Sequence, residues 1–118
     1  MWLEFRNNYS RTISVAVMQR DADACGGEGG GWATHGWWVL GSGETKTAIW
    51  TANRYVYFYA KATDGRWWGN PNGPRMYVNP YRKFDSCVNI GVSTWDVVNT
   101  ASADLGTYLP NRHTVNLR

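Results

Sequence analysis

The stretch Arg54-Tyr55-Val56-Tyr57-Phe58-Tyr59-Ala60 decides the predicted fold class of this chain of 118 residues. It favours a strand, because aromatic and β-branched side chains fit a pleated, half-buried surface. Successive side chains of a strand face opposite ways, so Val56, Phe58 and Ala60 share one face and the three tyrosines share the other. We therefore expect a central strand with a core face and a second face that carries aromatic rings and hydroxyl groups.

The composition favours the same fold class along the whole chain. Eight Trp, seven Tyr and thirteen Gly stand beside few of the residues that form helices well, a mixture that favours short strands and turns. A chain of this length is expected to form one domain, residues 1–118. We predict an all-β fold, an antiparallel β-sandwich or small barrel of about eight to nine short strands.

Short strand patterns separated by turn signals predict antiparallel neighbours rather than helical crossovers. Residues 2–6 and 12–18 are predicted to form a first hairpin, because Asn7-Asn8-Tyr9-Ser10 between them is typical of a turn. Trp37 and Trp38 should face opposite ways, with one in the core and the other exposed or covered by a loop. Further strands are predicted at residues 32–40, 45–51, 54–60, 76–78, 84–90 and 111–117, and a strand or short helical turn at residues 93–100.

A glycine-rich segment, residues 21–31, is expected to be a solvated and mobile loop, since five glycines make any regular element costly in entropy. Its acids do not follow the spacing of an EF-hand, so we predict no metal site there. The two cysteines, Cys25 and Cys87, allow one intramolecular disulfide, which would close a long loop and add roughly 2–4 kcal/mol. The sequence leaves their redox state open, and their spacing is not that of a zinc site.

Charge and hydropathy restrict the partners that we expect. The net charge is +3 with no block of like charge, which permits an anionic partner without requiring one and disfavours nucleic acid. No apolar run reaches about eighteen residues, so no transmembrane segment is predicted. Residues 1–6 lack the features of a signal peptide. Either the protein stays where it is made, or Met1 replaces a removed leader and the protein is secreted or on the cell surface.

Several motifs in a fixed order resemble those of DUF1036, a bacterial family of small uncharacterised proteins. The matching segments are residues 8–17, residues 31–40 with Gly36-Trp37-Trp38, the tyrosine-rich strand at 54–60 and residues 64–69 with Trp67-Trp68, and the agreement extends over about residues 3–90. The family commonly has Cys where this chain has Asn7 or Asn8 and Thr45. Cys87 matches a late family cysteine, whereas Cys25 does not, so the family's pairing is not carried over. The resemblance implies a shared fold and supplies no activity.

No arrangement of residues in the sequence predicts catalysis or a cofactor. His35 and His113 are the only histidines, and no motif of a nucleophile accompanies either of them. We expect His35 at a loop or strand end. Asp64, Asp85 and Asp96 are expected near turns, where Asp is favoured for backbone reasons alone. Enzyme activity is therefore not predicted.

The abundance of aromatic residues is the stronger functional signal, because exposed aromatic rings commonly mark recognition surfaces. The predicted ligand-binding residues are Tyr55, Tyr57, Tyr59, Trp67, Trp68 and Trp37, with Asp64 and Arg66 at their edge. We predict a non-catalytic binding module for a glycan or a protein surface. An aromatic-rich core would explain the same residues without any ligand. Alternative functions are a self-associating structural subunit of an oligomer or filament and, less favoured, a membrane-active, toxin-like protein.

Overall fold

Strands dominate the computed structural model, which describes residues 1–90, 95–106 and 111–118. Within these residues the strands are β1 (Trp2–Asn7), β2 (Ile13–Arg20), β3 (Trp32–Leu40), β4 (Thr45–Trp50), β5 (Tyr55–Ala62), β6 (Trp67–Trp68), β7 (Arg75–Val78), β8 (Phe84–Cys87), β9 (Asp96–Asn99), β10 (Ala101–Asp104) and β11 (Arg112–Leu117). A helical turn, α1 (Ala22–Cys25), and a 3-10 turn, Gly27–Gly29, follow β2. The all-β prediction is confirmed, although the strands are more numerous than the eight or nine expected.

The strands form three sheets. A three-stranded sheet has the order β11-β1-β4, a larger sheet has the order β10-β5-β2-β3-β8 with β6 added to β5, and β7 pairs with β9. The larger sheet is open, with β10 and β8 at its two ends. The architecture is therefore a β-sandwich, and the alternative of a closed barrel is wrong.

Apolar side chains cover both faces of the larger sheet. On one face Leu3, Phe5 and Leu117 of the three-stranded sheet pack against β2 and β5 and form the main core. On the other face Met76 and Val78 of β7 lie in a smaller cluster, the second core, which also holds Ala16, Met18 and Phe84. The protein is thus a sandwich with a small third layer.

The tyrosine-rich strand occupies the interior position that the sequence predicts. β5 pairs with β2 on one side and with β10 on the other, both antiparallel. Val56, Phe58 and Ala60 are buried in the main core. Tyr57 and Tyr59 are half-buried against the second core. The predicted alternation is confirmed, and the tyrosine face proves to be partly covered by the third layer.

The predicted first hairpin is wrong. β1 pairs with β4 and, in parallel, with β11, whereas β2 belongs to the larger sheet. The apolar side chains of β1 and β2 face each other across the main core, so residues between them carry the chain from one sheet to the other. The parallel β1–β11 pair also departs from the expectation of antiparallel neighbours. The expected edge strand near the C-terminus is confirmed, and so is a strand within residues 93–100, of which 93 and 94 lie outside the described residues.

The glycine-rich segment contains regular structure, contrary to our expectation. The side chain of Asp21 accepts a hydrogen bond from the Ala24 backbone N–H at 3.0 Å and caps the start of α1. Cys25 at the end of α1 forms a disulfide with Cys87 at the end of β8. The cap and the disulfide therefore fix a segment whose composition alone favours disorder.

The segment around Gly36 departs from the predictions in two ways. His35 lies inside β3, not at a strand end, and its Nδ1 is 2.7 Å from Oδ1 of Asp85 on β8. Trp37 packs against the second core and Trp38 against the main core, so their opposite orientation is confirmed, although each is only half-buried. Position 36 requires glycine, because a Cβ there would collide with the ring of Phe84.

Candidate functional site

An open groove of about 530 Å³ lies beside the second core. We call it the aromatic groove. Strands β2, β3 and β5 contribute one side of it, and β7, β9 and the segment from Pro80 to Lys83 contribute the other. The groove therefore runs along the rim of the third layer, where that layer leaves part of the larger sheet uncovered.

Aromatic rings form much of the groove surface. Trp37 and Tyr59 meet edge to face with their centroids 6.4 Å apart, and Trp67 stacks on Tyr59 at 6.2 Å. The Trp37 Nε1 donates a hydrogen bond of 2.7 Å to the backbone oxygen of Asn79, which fixes the orientation of the indole ring. Tyr81 stands at the rim with 85% of its surface exposed. Rigid rings next to an exposed ring are suited to stacking against a flat ligand.

The turn that follows β7 positions the far side of the groove. The Asn79 side-chain oxygen accepts a hydrogen bond of 3.0 Å from the backbone N–H of Tyr81, and Pro80 between them restricts the backbone further. Because the Asn79 carbonyl also holds Trp37, one residue ties the turn to the aromatic surface. The positions of Tyr81, Arg82 and Lys83 therefore depend on the same short segment.

Charged and polar groups surround the rings of the groove. Lys61, Arg82, Lys83 and Asp96 line it. Burial, followed by the negative charge of Asp96, raises the pKa of the Tyr59 hydroxyl above its ordinary value. Like an ordinary tyrosine hydroxyl, it is protonated at neutral pH and can donate a hydrogen bond. The groove thus offers cations, a hydroxyl donor and a carboxylate acceptor beside apolar rings.

A second aromatic cluster, the end cluster, consists of Tyr9, Asp64, Arg66 and Trp68. The Arg66 guanidinium lies 4.9 Å from the centroid of the Trp68 ring and 5.6 Å from that of Tyr9. The Tyr9 hydroxyl donates to Asp64, which lowers the pKa of the carboxyl and raises the pKa of Tyr9. Trp68 packs against the main core and donates to the backbone oxygen of Arg118. These side chains therefore contact one another and the main core.

The eight predicted ligand-binding residues are divided among several places. Trp37 and Tyr59 line the groove, and Trp67 stacks on Tyr59, while Asp64, Arg66 and Trp68 belong to the end cluster. Tyr57 packs edge-on against Trp32 in the second core. Tyr55 is exposed at the start of β5 beneath the guanidinium of Arg54. The structure therefore brings two of them, Trp37 and Tyr59, to one groove and places Trp67 against Tyr59, and a ligand-binding role for each stays a prediction.

Four further residues of the groove, Lys61, Tyr81, Arg82 and Lys83, were not predicted from the sequence. One signal was available for Lys61, because it continues the alternation of the tyrosine face by one step along β5. The run Tyr81-Arg82-Lys83 follows Pro80 directly, but nothing in it indicates that the chain returns to the side of Tyr59. That proximity depends on the pairing of β7 with β9 over the second core.

Other features of the described residues are weaker candidates. A smaller depression of about 320 Å³ is lined by His35, Trp38 and Asp85 among others. In the part of the chain that the structure describes, no three His, Cys, Asp or Glu residues are grouped as a metal ion would require. Within the same residues, no helix is long and apolar enough to cross a membrane.

Comparison with known proteins adds no relative to this picture. No protein-family model matches the chain, and neither a curated protein nor a solved structure matches it. The geometry defines the class of protein, an all-β sandwich with an aromatic groove. The resemblance to DUF1036 stays a prediction.

Proposed function

We propose that the protein is a non-catalytic binding module and that the aromatic groove holds a glycan. One observation carries the proposal: Trp37, Tyr59 and the exposed Tyr81 line a single open groove that also contains hydrogen-bonding side chains. Ligand sites typically combine an apolar, aromatic surface with a few placed polar groups. A sugar ring has the matching surfaces, since it presents an apolar face of C–H groups and a rim of hydroxyl groups.

The shape of the groove favours a glycan over a protein surface. Sites for small ligands are concave and typically enclose about 300–1,000 Å³, and the groove of about 530 Å³ lies within that range. A short chain of sugar rings matches a concave site of this size. Membership of the DUF1036 family is part of the proposal, because the segments that carry that resemblance supply Trp37 and Tyr59.

Removing the exposed ring at the groove rim should weaken glycan binding without unfolding the protein. We expect Tyr81→Ala to reduce affinity about fivefold, because one stacked ring contributes on the order of 1 kcal/mol. Trp67→Ala should act similarly by removing the ring that stacks on Tyr59. Affinity electrophoresis in gels that contain neutral or acidic polysaccharides, followed by calorimetry with the strongest ligand, would measure the effect.

Trp50→Ala is the matched control for these variants. Trp50 is 55% exposed, but it lies on β4 in the three-stranded sheet and does not line the groove. We expect it to bind as the wild type does. If the wild type binds none of the polysaccharides, or if Trp50→Ala weakens binding as much as Tyr81→Ala does, a glycan in the aromatic groove is ruled out.

A self-associating subunit is the second candidate, and one observation favours it. Trp2 and Trp50 lie opposite each other on β1 and β4, and both are exposed. β4 is an edge strand of its sheet, and an unpaired edge with exposed aromatic residues is a template for pairing with a second chain. We expect sedimentation velocity to show concentration-dependent association that Trp50→Lys abolishes. A wild-type protein that stays monomeric at every concentration would refute this candidate.

A further inference from the structure

Three positive side chains of the aromatic groove form no ion pair with a carboxylate of the described residues. Lys61, Arg82 and Lys83 are all exposed. The ion pairs within residues 1–90, 95–106 and 111–118 involve other cations: His35, Lys46, Arg54 and Arg112. Charges that are not neutralised within the protein are available to a ligand.

These cations reach the groove from separate parts of the chain. Lys61 follows Tyr59 on the same face of β5, and Arg82 and Lys83 follow the turn at Asn79 that holds Trp37. Asp96 is the only carboxylate among the described residues that line the groove. Several positive charges in one cleft raise the local concentration of anions there and steer them towards the rings.

We propose that the ligand of the aromatic groove is an acidic polysaccharide, whose sugar rings stack on the aromatic residues while their carboxylate or sulfate groups contact Lys61, Arg82 and Lys83. This inference rests on the proposed function and specifies its ligand class. Asp96 and the protonated Tyr59 hydroxyl then accept and donate hydrogen bonds to sugar hydroxyl groups. The aromatic rings, the three cations, Asp96 and the Tyr59 hydroxyl thus each have a counterpart in such a ligand.

The same groove is less suited to a single-stranded nucleic acid. Such ligands are bound by a basic groove that follows the phosphates together with exposed rings on which successive bases stack. Here Tyr81 is the strongly exposed ring among the described lining residues, so the described groove does not present the row of exposed rings on which successive bases stack.

Two triple variants with the same net charge test the proposal. The groove variant is Lys61→Gln/Arg82→Gln/Lys83→Gln. Its control is Arg11→Gln/Arg20→Gln/Arg75→Gln, which removes three exposed cations that do not line the groove and form no ion pair within the described chain. The ligands are polygalacturonate, dextran sulfate, neutral dextran and single-stranded DNA, with affinity measured by calorimetry at low and at physiological salt.

We expect the wild type to bind an acidic polysaccharide at least tenfold more tightly than neutral dextran, with an affinity that falls as salt rises. The groove variant should lose about tenfold in affinity, and the control should change about twofold or less. Preference for polygalacturonate or for dextran sulfate would identify carboxylate or sulfate as the recognised group. Circular dichroism of both variants would verify that they are folded.

Each other outcome overturns a different statement. Binding of neutral dextran as tight as that of the acidic polysaccharides would overturn the charge inference and leave the glycan proposal standing. Equal losses in the two triple variants would show that net charge, and not the groove, attracts the ligand. Preference for DNA would overturn the acidic glycan in favour of nucleic acid. Binding of none of the four ligands would overturn both the inference and the proposed function.

Discussion

The double variant Cys25→Ser/Cys87→Ser is expected to have a free energy of unfolding roughly 4 kcal/mol below that of the wild type. The two cysteines are separated by 62 positions in the chain, and a cross-link that closes so long a loop removes much of the entropy of the unfolded chain. Domains of this size are stable by about 5–15 kcal/mol. The disulfide is thus expected to supply a large share of the total stability.

Chemical denaturation with and without a reductant separates the cross-link from local packing. The reductant should shift the wild-type midpoint to that of the double variant and leave the double variant unchanged. Titration of the denatured, unreduced wild type should find no free thiol. Two free thiols before reduction, or a wild-type midpoint that does not respond to the reductant, would contradict the disulfide as a source of stability.

The position of the disulfide connects stability to the candidate site. Cys87 ends β8, the edge strand that pairs with β3 and begins at Phe84, directly after Arg82 and Lys83. Fixing the end of β8 therefore restrains the strand whose start carries the two cations. Disulfides persist in oxidising compartments, which favours the secreted or cell-surface location among those that the sequence left open.

Local patterns predicted individual strands well, but pairing partners depend on the tertiary structure. The alternation of Val56, Phe58 and Ala60 against the tyrosines identified β5 and its core face correctly, since one buried face imposes a period of two. The same rule applied to β1 and β2 predicted a hairpin. The alternation within a strand predicts which face is buried but not which strand lies beside it. Here β1 and β2 belong to different sheets and meet across the main core.

The candidate site was predictable to a similar degree. Trp37, Tyr59 and Trp67 were predicted as ligand-binding residues from the abundance of aromatic residues and, for Tyr59, from the alternation of β5. Trp37 and Tyr59 do line the groove, and Trp67 stacks on Tyr59. Trp67 and Trp68 were predicted to share one site, but Trp67 stacks on Tyr59 and Trp68 packs against the main core. The alternation rule could have predicted this, because adjacent residues of a strand face opposite sides. Lys61, Arg82 and Lys83 were missed because their proximity arises from the third layer, which pairs β7 with β9 across a long segment of chain.

The hydrogen bonds of Asn7 stabilise the turn at residues 7–10, which connects two sheets and not two strands of a hairpin. Its side chain is fully buried and donates hydrogen bonds to the backbone oxygens of Arg11, at 2.7 Å, and Leu40, at 3.0 Å. Its Oδ1 accepts from the Tyr9 backbone N–H at 2.8 Å. Its backbone groups bond to Gly43 and Glu44. One amide thus joins the end of β1 to the crossing segment and to the connection between β3 and β4.

Asn7→Asp is accordingly expected to lower the free energy of unfolding by about 3–5 kcal/mol at neutral pH. A carboxylate cannot donate to the two carbonyl oxygens that the amide contacts, and it places a buried negative charge beside them. Burial gives the introduced carboxyl a higher pKa in the folded state than in the unfolded chain. The variant therefore loses stability as pH rises through that interval, and its deficit is smallest near and below the ordinary aspartate pKa of about 3.9.

Asn8→Asp is the matched control, because it makes the same chemical change at the adjacent and exposed residue. The Asn8 side chain contacts Arg6 and Asn116 at the surface, where water can solvate a carboxylate, so we expect a change below about 1 kcal/mol. Urea denaturation of both variants across a range of pH would compare them. Equal, small effects at the two positions would show that the Asn7 amide does not join these three segments, whereas a large loss confined to Asn7, relieved at low pH, is the expected result.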